Sequence, residues 1–173
     1  MEPAIMTALL ALVLGMAVVT DLRSTRIPNW LTAPAVIIAL GTHTGMNGIG
    51  GLVFSLAGLG VGLGFFLLLY LVGSIGAGDV KLMAAVGAFV GPYGALSSGI
   101  LAMIIGGGYA VSAMCYQWGL FTTGRKLTAV AHGAVLMGGH VSVSESAQPV
   151  RLRYGVAIAG GTLLYLAGVH PFG

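Results

Sequence analysis

The sequence predicts an all-α fold: a polytopic membrane bundle of about six transmembrane helices with both termini outside. Three observations carry that expectation. The 173 residues are 57% apolar and only 6% charged, where soluble domains carry about 25% charged residues. Apolar runs recur at about 3–20, 31–44, 50–73, 80–91, 95–118 and 154–169. With six crossings every Lys and Arg falls on one face, which the positive-inside rule makes cytoplasmic. Any other number of crossings would divide the basic residues between the two faces.

The elements follow in order. Only Glu2 precedes the first run, so the basic segment of a cleaved secretory signal is missing and the run reads as a permanent helix. Arg23 and Arg26 follow it. The second and fourth runs are short for a bilayer that needs about 20 helical residues. Run three carries Gly58, Gly60, Gly62 and Gly64, two overlapping G-x-x-x-G faces suited to close packing inside the bundle, with a homodimer face as the alternative. Gly106, Gly107 and Gly108 thin run five, which Arg125 and Lys126 follow. Leu127, Val130, Ala131, Ala134, Val135 and Gly138 then recur at helical spacing, predicting a cytoplasmic interfacial amphipathic helix over about 125–138. A polar loop over 142–148 and Arg151 and Arg153 lead into run six. No internal repeat or second domain is evident, so 1–173 reads as one membrane domain. Alternating strands of the outer-membrane barrel type are absent, and the net charge of +3 is explained by topology rather than by nucleic acid.

Four acidic residues serve the whole chain, Glu2, Asp21, Asp79 and Glu145. Glu145 reads as a solvated charge in the polar loop. The two aspartates each border a long apolar run, and a carboxylate there is a functional candidate by default. Asp21 should sit near the interface at the end of run one, where a helix macrodipole disfavours negative charge. Asp79 opens a run whose twelve residues rise only about 18 Å. It is therefore expected deeper, in a shielded, wet pocket. Placed together on one side of a membrane, two such acids can share a proton, which is aspartic-protease chemistry.

Two constellations surround them. The first is Asp21-Leu-Arg23-Ser-Thr-Arg-Ile-Pro28-Asn29-Trp30. Its arginines are explained by topology, Asn29 by helix N-capping and Trp30 by the interface. The second is Gly76-Ala-Gly78-Asp79-Val-Lys81-Leu82. Its plainest reading makes Asp79 a helix cap neutralised by Lys81. The glycines also leave the backbone beside the carboxylate open to an extended peptide. His43, His132, His140 and His170 are scattered and build no metal site. Cys115 and the eight methionines read as packing residues, and no cofactor is expected.

Together the segments DLRSTRIPN at 21–29 and GAGDVKL at 76–82 resemble the type IV prepilin peptidase family of membrane aspartic proteases. That family carries an Asp and a basic I-P-N loop after one helix and a G-x-G-D-x-K motif at a later one. The tail Tyr154-Gly-Val-Ala-Ile-Ala-Gly160 is similar to a stretch near the family's C-terminus, with Arg153 where that stretch has proline. Larger members insert a tetracysteine zinc domain between the first two helices. This chain has only a short loop there, like the minimal peptidases of tight-adherence (Flp-type) pili.

The resemblance implies Asp21 and Asp79 as the catalytic dyad. It implies Gly76, Gly78, Lys81, Arg23, Pro28 and Asn29 as substrate-binding or site-shaping residues, with Lys81 tuning Asp79 or binding a substrate carboxylate or lipid phosphate. It implies a multi-pass protein of the prokaryotic plasma (inner) membrane, cutting a prepilin's short basic leader from its apolar helix at the cytoplasmic face. Lipids are its other expected partners. Presenilin-like proteases also use G-x-G-D, but their first Asp lies within a helix after Tyr, whereas Asp21 follows Thr20. A small transporter or proton relay is the alternative from another class, and would show an inverted repeat or paired broken helices.

Overall fold

A computed structural model describes residues 2–24, 27–73, 75–118, 154–169 and 171. These are helical and contain no strand. The elements are α1 (Glu2–Ser24), α2 (Asn29–Leu71), α3 (Ala77–Trp118) and α4 (Tyr154–Leu166). Three of them, α1, α2 and α3, are long and apolar enough to cross a membrane, and α4 is a shorter apolar helix. The chain divides by its contacts into two units, one of 1–106 with 153–173 and one of 107–152. The described residues of the second unit are 107–118, the end of α3. The amphipathic helix expected over 125–138 and the polar loop over 142–148 lie outside the described residues.

Both long helices are broken by a glycine in a conformation that L-residues avoid. Gly48 has φ 58° and ψ −138° inside α2, and Gly91 has φ 75° and ψ −179° inside α3. At both places the chain reverses. The rings of His43 and Phe54 lie 5.2 Å apart, where an unbroken helix would separate these positions by about 16 Å. A Cβ on Gly87 would stand 3.2 Å from that of Ala95, against about 12 Å along a straight helix. Pro92 follows the second break, where a fixed φ and a missing N–H suit a first helical turn. The helical segments 29–47, 49–71, 77–90 and 92–118 therefore fall on the second to fifth apolar runs.

The segment 77–90 is the centre of the first unit. Residues 82–89 are all buried, as expected of a helix that is apolar on every side. Around it α1 contributes Leu10, Leu14 and Ala17, the 29–47 segment Leu31, Ala35 and Ala39, and α4 Ile158 and Ala159. The 49–71 segment closes on it through two glycines: a Cβ at Gly58 would overlap the carbonyl of Gly87, and one at Gly62 that of Met83. One turn before Gly58 the buried Ser55 hydroxyl donates to Ala88 O at 2.7 Å. Gly60 and Gly64, the other G-x-x-x-G face, have nothing within 4 Å. The outer surface carries Ile37, Ile49, Leu68, Leu71 and Val72, all strongly exposed, as in a bundle surrounded by hydrocarbon.

Candidate active site

Asp21 lies on the core-facing stripe of α1. Leu10, Leu14, Ala17 and Asp21 recur at helical spacing, and all four are buried. Packing thus aims the carboxylate inward although the helix ends three residues later, at Ser24. The neighbouring Thr20 hydroxyl turns back on its own helix, donating to Met16 O and Ala17 O at 3.0 Å. Asp21 Oδ2 accepts the backbone N–H of Gly155 at 3.1 Å, a bond that ties the end of α1 to the beginning of α4.

Asp79 is the third residue of α3 rather than the cap preceding it. The expectation of a capping aspartate is corrected by the helix beginning at Ala77, with Gly76 before it. Asp79 Oδ2 reaches back to accept the Gly76 N–H at 3.1 Å, the carboxylate half of a capping box. The first turn of a helix also favours a negative charge. Asp79 is 9% exposed and Asp21 5%, so protein covers both. Each carboxyl lies within electrostatic reach of the other, and Tyr154 lies within reach of Asp79.

The two motifs touch. Gly78 leaves room for Ile27, since a Cβ there would stand 3.2 Å from Ile27 Cβ and 3.3 Å from its nitrogen. Ile27 is itself buried, so the I-P-N loop is pressed against the G-x-G-D turn. Pro28 occupies the N-cap of α2 in extended conformation and has no side-chain capping bond, and its carbonyl accepts Leu31 N–H at 3.1 Å. Asn29 is consequently the first helical residue and not the cap expected from its side chain. Its Oδ1 instead accepts from Lys81 Nζ at 2.9 Å. Lys81 thus spends a donor on the opposite motif rather than on Asp79, its neighbour in sequence. Arg23 is exposed in the last turn of α1, where a cation complements the helix dipole.

Seven of the expected site residues, Asp21, Pro28, Asn29, Gly76, Gly78, Asp79 and Lys81, stand at or beside this junction of four helix ends. The family model describing the type IV leader peptidase family matches residues 8–111, which include both motifs. The chain belongs to the type IV leader peptidase family. Membership makes it a peptidase, and the prepilin is the substrate that the family implies. No curated protein and no solved structure matches this leader peptidase. Two residues of its junction had no role assigned from sequence, Ile27 and Gly155. The sequence signals were present but unspecific: an apolar residue before Pro28, and a glycine one position into an apolar run.

Proposed function

We propose that this leader peptidase is an aspartic endopeptidase whose dyad is Asp21 and Asp79. It removes the basic leader of a prepilin at the cytoplasmic face of a prokaryotic plasma membrane. One observation supports the reading above the rest: two carboxyls from motifs far apart in sequence are both buried, within electrostatic reach of each other, and their motifs touch through Ile27 and Gly78. Two like charges brought together in a low dielectric do not both ionise cheaply, so a working dyad would hold one proton between its two acids. The ionised carboxylate takes a proton from water as the water oxygen bonds to the scissile carbonyl carbon. The protonated partner donates to the carbonyl oxygen. The tetrahedral intermediate then collapses: the C–N bond breaks, the amine leaves with the proton that the first carboxylate took from water, and a hydroxyl of the intermediate returns its proton to the second acid.

The surroundings suit such a substrate. Gly78 is filled by Ile27, so an extended leader segment reaching Asp79 would come in where Gly76 leaves the backbone without a side chain. Six crossings with both termini outside would bring the basic residues and the dyad to the cytoplasmic side. The apolar helix of the prepilin would then lie in lipid beside the bundle. The short loop between α1 and α2 suits the minimal, Flp-type class, and the chemistry uses no metal or cofactor.

The test is co-expression with a candidate prepilin and mapping of its mature N-terminus. Asp21→Asn and Asp79→Asn should accumulate in membranes at the normal level and leave the leader uncut. Normal cleavage by either variant would sink the dyad.

A further inference from the structure

We infer that Gly155, at the amino end of α4 and outside the span matched by the family model, is a positioning residue for Asp21 and completes the site from a fourth helix. The inference rests on the dyad reading above. Tyr154 opens α4 and Gly155 follows it, so the Gly155 N–H is one of the four at a helix start that have no partner within the helix. That donor goes to Asp21 Oδ2 at 3.1 Å, where both residues are buried. The bond answers a problem set by α1. Asp21 stands in its last turn, where the macrodipole opposes a carboxylate, and the positive end of α4 offsets this from across the site.

The fit leaves no slack. A Cβ on Gly155 would stand 2.8 Å from Asp21 Oδ2 and 3.1 Å from its Cβ and Cγ. Only glycine lets the backbone come this close while Asp21 keeps its present rotamer. The helix is held to that position from behind. Gly161 is packed against Ser98 O and the Ala102 backbone, and a Cβ on Gly106 would stand 2.8 Å from Cζ of the Tyr154 ring. Asp79 is anchored within its own helix by Gly76, one turn away in the same segment. Asp21 is anchored to α4, at the other end of the sequence. The Gly155 bond therefore couples the placement of Asp21 to the seating of α4.

The experiment removes the donor without adding bulk. The full chain is made by cell-free synthesis into nanodiscs with glycolic acid in place of Gly155, which turns the 154–155 amide into an ester. Gly155→Ala, the exposed-site control Val156→Ala and Asp21→Asn are prepared alongside. Cleavage of a purified prepilin is followed for kcat and KM, with thermal unfolding as the fold readout. The ester is expected to lose about tenfold or more in kcat, the size of a charge-assisted hydrogen bond. Its KM should stay within about twofold, and its unfolding temperature should fall by only the few degrees that one buried hydrogen bond contributes. Gly155→Ala should lose at least as much, and Val156→Ala nothing. Should Gly155→Ala fail to fold, the ester decides. An ester with parental kcat overturns the role of Gly155 while an inactive Asp21→Asn leaves the dyad standing. An active Asp21→Asn overturns the dyad, and this inference with it.

Discussion

Of the four glycines at 58, 60, 62 and 64, two face the buried helix and two do not, and this difference is measurable. In Gly62→Ala the new methyl falls on the Met83 carbonyl oxygen and stands 3.0 Å from its carbon and 3.4 Å from Ala84 Cα. These are backbone atoms, so no rotamer change relieves the contact, and the two segments must separate by a good fraction of an ångström. Overpacking of this kind costs about 1–3 kcal/mol. Met83 is one turn beyond Asp79, so the displacement is passed to the carboxylate, and a misplacement near 1 Å costs on the order of a hundredfold in rate. We expect Gly62→Ala to lower the unfolding temperature in detergent and to reduce kcat for prepilin cleavage by about ten- to a hundredfold. Gly64→Ala meets nothing within 4 Å. It should cleave normally and be as stable as the parent or slightly more so, because alanine is the better helix former by about 1 kcal/mol. Equal losses in the two variants would refute the assignment of the packed face.

Other outcomes follow from the same contacts. The Lys81–Asn29 bond joins two motifs at an exposed position, so its contribution is small. Lys81→Met and Asn29→Ala should each reduce kcat by about two- to fivefold, with the double variant no worse than either single one. Additive losses in that cycle would show that the two side chains act separately. Ser55→Ala removes a buried interhelical hydrogen bond, which in membrane proteins averages about 0.6 kcal/mol. A small drop in unfolding temperature with unchanged cleavage is expected, and a large loss of activity would contradict the purely structural role of Ser55.

Much of the helical layout was legible in the chain. Run length located the segments on either side of Gly48 and Gly91, because hydrocarbon demands long apolar helices, whereas only the structure showed these two glycines, with positive φ, at the reversals. The two aspartates stood out because a carboxylate is costly in such a sequence. Local detail was less legible. Asn29 is a good capping residue by type, yet Pro28 takes the cap and Asn29 serves Lys81, a partner 52 positions away that no local rule identifies. Asp79 was expected before its helix and stands inside it, because Gly76 was free to be the cap.

The sequence by itself determined that the protein is a helical membrane peptidase with two candidate acids, since composition, periodicity and short motifs are properties of the chain alone. Only the tertiary structure decided which glycines are packed, that Ile27 lies on Gly78, and that Asp21 is held by the amide of Gly155. Each of these is a contact between backbones or side chains remote in sequence. Such contacts depend on how the helices are seated, and a one-dimensional pattern carries no record of which free N–H will meet which carboxylate.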